Sequence, residues 1–181
     1  MQRTVRNNTP IDAARLEAMA LAYVARYATT RARLEAYLLR KIRERGWDGE
    51  GTPPVGPLAE RFVAAGYVDD SAWARARARS LLARGYGARR VNEALGAAGV
   101  AQGVREEVRP GERARRHAAL ALARKRRFGP FAAAAPDRAL REKQIAAMLR
   151  AGHGLETARK MIQAESIAAA EEWAAQGEGE D

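Results

Sequence analysis

Gly66-Tyr67-Val68-Asp69-Asp70-Ser71-Ala72-Trp73-Ala74 reads as a helix stop joined to a helix start. Gly66 can enter the left-handed conformation that closes a helix without a Cβ penalty. Asp69, Asp70 and Ser71 are all N-cap types, able to accept from the open N–H groups of a new first turn. Trp73 and Ala74 then begin an apolar stripe. Related punctuation recurs at Gly46-Trp47, Gly85-Tyr86-Gly87, Gly99-Val100, Phe128-Gly129-Pro130 and Gly152-His153. Short helices broken by glycine beside an apolar residue predict an all-α array rather than a globule around one central site.

Working outward, Asp12 can cap a helix whose stripe is Leu16, Met19, Ala20, Tyr23, Val24, Tyr27, the i, i+3, i+4, i+7 pattern of one buried face. Thr29 and Thr30 restart the chain, and Leu34, Tyr37, Leu38 and Ile42 form the next stripe, ending at Gly46. Residues 48–57 read as a Gly/Pro loop without a helical option. A short helix with Leu58, Phe62 and Val63 ends at Gly66. A second group follows: Trp73 to Leu82, Val91 to Ala98, and a short helix near 101–108. A third begins near Glu112, continues from Pro136-Asp137, and ends with a helix from about Leu155 to Ala164. Long–long–short helices three times, at a period of roughly 50 residues, predict tandem three-helix units that bury one another's faces. The expected division is a flexible arm at 1–11, repeats at 12–67, 68–109 and 110–164, and an acidic tail at 165–181.

The 181 residues contain no cysteine, which excludes a disulfide framework and thiol chemistry. No apolar run approaches the roughly 20 residues of a membrane span, and residues 1–12 lack a signal-peptide core. The expectation is a soluble cytoplasmic monomer. Net charge is +10, unevenly placed. Residues 165–181 hold six acids and no Lys or Arg, so the rest carries 32 bases against 16 acids, a net +16. Nucleic acid or an acidic protein surface suits such a body, although arginine also serves solubility.

Catalytic chemistry finds no foothold. His117 and His153 are far apart and read as surface or helix-end residues, and no metal-ligand spacing is visible. Gly85-Tyr86-Gly87 has no preceding strand and no following Lys-Ser/Thr, so it reads as a helix-to-helix turn rather than a phosphate loop. Asp69-Asp70 is more simply a cap pair than a carboxylate dyad. The expectation is a non-enzyme without metal or cofactor. The arginines are more informative. At 100° per residue, Arg113, Arg116, Arg124 and Arg127 fall within an arc of about 80°. Arg75 and Arg79 sit at i, i+4, away from the Trp73/Leu81 face. Arg31, Arg33, Arg89, Arg90 and Arg113 fall in first helical turns, where a cation opposes the macrodipole at about 0.3–1 kcal/mol each. Arginine there suggests that something anionic is met. Arg75, Arg79, Arg89, Arg90, Arg113, Arg116, Arg124 and Arg127 are therefore the candidate binding residues. The acidic tail reads either as a disordered solubilising end or as a phosphate mimic folded back on the basic body, with Trp173 as its anchor.

The Gly66–Ala74 stretch resembles the Gly-Tyr-Leu-Asp-Asp-x-x-Phe-Ala signature of the RecX family of RecA regulators, with Val68 for Leu and Trp73 for Phe. Arg84-Gly85-Tyr86-Gly87-Ala88-Arg89-Arg90-Val91-Asn92-Glu93-Ala94-Leu95 and Gly99-Val100 resemble its second-repeat helix and closing turn. Thr29 to Leu34 occupies the place of a Ser-Arg-x-Glu-Leu segment, with Arg33 where the family carries an acid. Glu142-Lys143-Gln144 and Leu149 to His153 resemble the third repeat. The likeness covers about residues 12–164. It implies three tandem three-helix repeats in an elongated curved body, with Gly66, Tyr67, Asp69, Asp70, Trp73 and Ala74 as structural signature. It also implies docking in the groove of a RecA–DNA filament, with inhibition of ATP hydrolysis, strand exchange and coprotease activity, and so a place in recombinational repair and the SOS response. The partners implied are the RecA filament and single- or double-stranded DNA with little sequence preference. Two other readings remain from the residues: a direct DNA-binding regulator of helix-turn-helix type, and a plain helical scaffold. Faces made almost wholly of arginine grip phosphate rather than read base edges, which weighs against sequence-specific readout.

Overall fold

A computed structural model of the chain describes residues 9–176. Ten α-helices succeed one another among them: α1 (Ala13–Arg26), α2 (Arg31–Arg45), α3 (Val55–Ala64), α4 (Asp70–Ala83), α5 (Ala88–Gly96), α6 (Gln102–Glu107), α7 (Glu112–Arg126), α8 (Arg138–Arg150), α9 (Leu155–Ile162) and α10 (Ile167–Ala175). A 3₁₀ turn at Gly129–Phe131 separates α7 from α8. The described residues form no β-sheet, only an isolated bridge between Ile11 and Trp47. In each of the first three groups of three helices the third is the shortest, at 10, 6 and 8 residues.

Most starts are set by the caps that the residues advertise. Asp12 accepts from the Arg15 N–H at 2.7 Å, Thr30 from the Arg33 N–H at 3.3 Å, Asp69 from the Ala72 N–H at 2.8 Å, and Asp137 from the Leu140 N–H at 2.7 Å. Such a bond satisfies one of the orphan donors of a first turn and is worth about 0.5–2 kcal/mol.

Three expectations are revised. The Gly/Pro loop does not run to residue 57: α3 begins at Val55 and takes in Gly56 and Pro57. Pro57 is the third residue of that helix, where no N–H is needed for an internal bond and its fixed φ suits the turn. Ile11, assigned to the flexible arm, is fully buried, and its N–H and C=O bond to the Gly46 carbonyl and the Asp48 N–H, both at 3.0 Å. Residues 1–8 of that arm lie outside the described residues. The tail is not a featureless end, because Ser166 caps α10 through the Ala169 N–H at 3.1 Å. Glu178, Glu180 and Asp181 lie outside the described residues.

The chain divides into two compact units. The first comprises the residues up to Trp73 together with Ala98–Val100. Its core gathers Ile11, Leu16 and Ala20, Leu34 and Leu38, and Leu58 and Phe62. Burying a Leu or Phe side chain fully contributes about 1.5–3 kcal/mol, so this cluster is enough to fix α1, α2 and α3 against one another. The signature stretch ties the amino end of α2 into this unit. Gly66 takes φ +75°, closing α3. Asp69 caps α4, while the neighbouring Asp70 carboxylate accepts from the Arg31 N–H at 2.8 Å. The Arg33 guanidinium lies 4.7 Å from the Trp73 ring centroid. The buried Thr30 hydroxyl donates to the Ala98 carbonyl at 2.6 Å, and a Cβ on Gly99 would overlap that of Ala32.

The second unit holds Ala74–Ala97 and the residues from Ala101 onward. Its core joins Ala119, Leu120, Leu122 and Ala123 of α7 with Met148, Ala158, Met161, Ile162, Ala170 and Ala174. Gly85-Tyr86-Gly87 is a turn between α4 and α5 held by backbone bonds: the Gly87 N–H donates to the Ala151 carbonyl at 2.9 Å and the Arg89 N–H to the Gly152 carbonyl at 3.2 Å. His153 lies at a helix end as expected, but it is buried rather than on the surface, and Nε2 donates to the Gly85 carbonyl at 2.9 Å. A carbonyl only accepts, so the neutral ring carries its proton on Nε2. On α8 the buried Gln144 side chain accepts from the Gly129 N–H at 2.9 Å and fixes the 3₁₀ turn.

Candidate nucleic-acid interface

The cationic side chains proposed from the sequence all lie in the second unit, on α4, α5 and α7 and at the end of α7. They fall into two sets. Arg89 donates to the Leu149 carbonyl at 2.7 Å and pairs with Glu93 at 3.2 Å. Arg90 pairs with Glu93 at 3.4 Å. Arg116 pairs with Glu112, donates to the Trp173 carbonyl at 3.0 Å, and lies 4.9 Å from the Trp173 ring centroid. Its side chain is only 19% exposed. Arg124 pairs with Glu171 and approaches the Phe131 ring at 5.8 Å. These four are held by their own chain.

Arg75, Arg79, Arg113 and Arg127 form the other set. All four are exposed and make no ion pair among the described residues. Arg127 departs from the predicted arc. It is the C-cap of α7 in the left-handed region, at φ 55°, so it does not continue the helical register from Arg113 to Arg124. Left-handed residues other than glycine carry a steric penalty, here set against the bond from its N–H to the Arg124 carbonyl at 3.2 Å.

Part of the anion expected at first turns comes from the chain itself. At α2 it is Asp70, bonded to the Arg31 N–H, while the Arg31 side chain pairs with Glu35 at 2.9 Å and Glu60 at 3.0 Å. Those carboxylates raise the pKa of Arg31, chiefly through the hydrogen bond that its guanidinium donates to Glu35. At α5 and α7 the caps are Gly87 and Gly111, neither of which has a side chain to close the turn. Arg89, Arg115, Arg116 and Lys160 line a cavity of about 790 Å³ in this unit, which Glu112 and Glu156 also enter. Arg115 and Lys160 were not singled out in the sequence. Both make no ion pair among the described residues, and their convergence depends on helices some 45 residues apart in the chain.

No group of three or more His, Cys, Asp or Glu among the described residues is placed to hold a metal ion, and no described helix is long and apolar enough to cross a membrane. The arrangement fixes positive charge on a helical scaffold, the kind of field that attracts anionic partners in general.

Fold and surface define an all-helical protein whose exposed cations, among the described residues, are mostly arginine. No protein-family model matches the chain. The regulatory protein RecX of Myxococcus xanthus (strain DK1622) is 35% identical over 156 residues, covering 81% of this chain and 83% of that protein. The regulatory protein RecX of Thermus thermophilus is 39% identical over 108 residues, covering 60% of this chain and 71% of its own. A crystal structure of a regulatory protein RecX superposes with a TM-score of 0.60 over 84% of this chain and 73% of that one, at 20% identity, a likeness of fold. The chain belongs to the RecX family.

Proposed function

We propose that this protein is a non-enzymatic negative modulator of RecA recombinase. It docks along the RecA–DNA filament and lowers ATP hydrolysis, strand exchange and coprotease activity. Membership of the RecX family carries this reading, and the exposed arginines that make no ion pair among the described residues supply the charge for a phosphate-bearing groove. Arg75, Arg79, Arg113 and Arg127 are the contacts assigned to DNA or to acidic filament walls. Arg89, Arg90, Arg116 and Arg124 shape the surface and meet the partner only if their present ion pairs open. The protein acts as a cytoplasmic monomer built from repeats at 12–67, 68–109 and 110–164.

The test is RecA ATPase on single-stranded DNA with this protein titrated in. Inhibition at substoichiometric ratios is expected, and unchanged hydrolysis at a molar excess sinks the proposal. A double substitution, Arg113→Glu with Arg127→Glu, removes two exposed cations that make no ion pair among the described residues. It is expected to lower affinity for single-stranded DNA and to flatten log K against log salt by about 1.4, the slope of two phosphate contacts. Binding of random and genomic duplex with equal affinity separates this reading from a sequence-specific regulator.

A further inference from the structure

A different surface, in the first unit, brings together residues that the family signature leaves aside. Tyr23 and Tyr27 are one turn apart at the end of α1, and Tyr37 faces them from α2. Tyr23 stacks on Tyr37 with centroids 4.2 Å apart and planes at 14°, and Tyr27 tilts against Tyr23 at 5.3 Å and 51°. Arg26 lies 5.6 Å from the Tyr27 ring centroid and Arg40 5.7 Å from that of Tyr37. With Ala22 these five side chains line a groove of about 520 Å³, and no Asp or Glu among the described residues lines it.

Core packing explains only part of this cluster. Tyr23 and Tyr37 are partly buried against the core of the unit. Tyr27 is not: it caps α1 and is 49% exposed. Arg26 makes no ion pair among the described residues, and Arg40 reaches Glu44 only at 3.7 Å. An aliphatic peptide would want aliphatic walls, and this groove has none beyond Ala22. A duplex keeps its base faces stacked inside. A single strand offers what the groove lacks, flat π-faces for a ring and phosphates for guanidinium groups.

We infer that Tyr27, backed by Tyr23 and Tyr37, is a stacking platform for an unpaired base of single-stranded nucleic acid, with Arg26 and Arg40 on the flanking phosphates. The inference rests on the nucleic-acid part of the reading above and assigns it a second surface and a strand form.

The test compares a labelled oligo-dT with an abasic oligonucleotide of equal length, which keeps the phosphates and lacks the bases, using the full chain at low salt. The wild type is expected to prefer oligo-dT by at least about fivefold, the range that stacking of one base supplies. Tyr27→Ala collapses that ratio to about one with helicity unchanged by circular dichroism, whereas Tyr27→Trp retains it. Equal affinity of the wild type for both strands, or an undiminished preference in Tyr27→Ala, overturns the platform while leaving phosphate binding intact. Tyr27→Ala that keeps its oligo-dT preference but loses its effect on RecA ATPase also overturns it, assigning the groove to a protein partner. Absence of binding to either strand by the wild type sinks the nucleic-acid reading as a whole.

Discussion

Asp70 and Arg33 show how two neighbouring turns of chain are fixed by single side chains. Asp70 stands in the first turn of α4, where its charge suits the macrodipole, and its carboxylate also accepts from the Arg31 N–H of α2. Asp70→Ala is expected to lower stability by about 1–2 kcal/mol, read as a shift in denaturant midpoint at constant slope; an unchanged midpoint removes the cap from the account. Arg33 and Trp73 are both positions where this chain departs from the family pattern, an arginine for an acid and a tryptophan for a phenylalanine, and they touch. A double-mutant cycle on Arg33→Glu and Trp73→Phe is expected to give a coupling of about 0.5–1 kcal/mol. His153 gives the molecule a pH response. Burial holds its pKa below the ordinary value, against the opposing pull of its bond to Gly85. The unfolded chain therefore takes up the proton first as pH falls. The contribution of His153 is complete above the unfolded value of about 6.5 and is lost progressively below it, toward the lower folded value. Melting temperature is expected to drop between pH 7.5 and 5.5, and His153→Gln to flatten that drop.

At the scale of elements, α10 decides which arginines of α7 remain available. Its Ala170 and Ala174 enter the core of the second unit, Glu171 pairs with Arg124, and the Trp173 carbonyl and ring engage Arg116. Glu171→Gln is expected to release Arg124 and raise affinity for single-stranded DNA at low salt, with little effect on melting temperature because the pair is half-exposed. Truncation after Gln163 removes the core contacts as well and is expected to destabilise the unit, so the point substitution is the cleaner probe. Helix starts at Asp12, Thr30, Asp69 and Asp137 were legible because a cap is a local device, written within four residues. The start of α3 was not, because Gly56 and Pro57 look like a loop until one notices that a first turn tolerates them. α10 was obscured by its acids, although Ser166 and the Ala170, Trp173, Ala174 spacing were there to be read. The state of the candidate arginines was the least legible part. Leu149, Glu171 and Trp173 meet Arg89, Arg124 and Arg116 across 60, 47 and 57 residues, separations that no local pattern encodes.

At the scale of the whole molecule, charge is segregated along the chain: six acids in the last 17 residues against a surplus of 16 positive charges in the rest. Affinity for any polyanion is then expected to fall steeply with salt, since each neutralised phosphate releases counterions. The assignment of Ala98–Val100 to the first unit has a further consequence, which concerns synthesis. A nascent chain that has emerged only as far as Trp73 has Asp70 in hand for α2, but not the Ala98 carbonyl that receives the Thr30 hydroxyl. The amino end of α2 is completed only by a segment that arrives after α5 has been made. The first unit is thus complete only once Val100 has emerged, and a cut after Trp73 leaves it without the partner of Thr30.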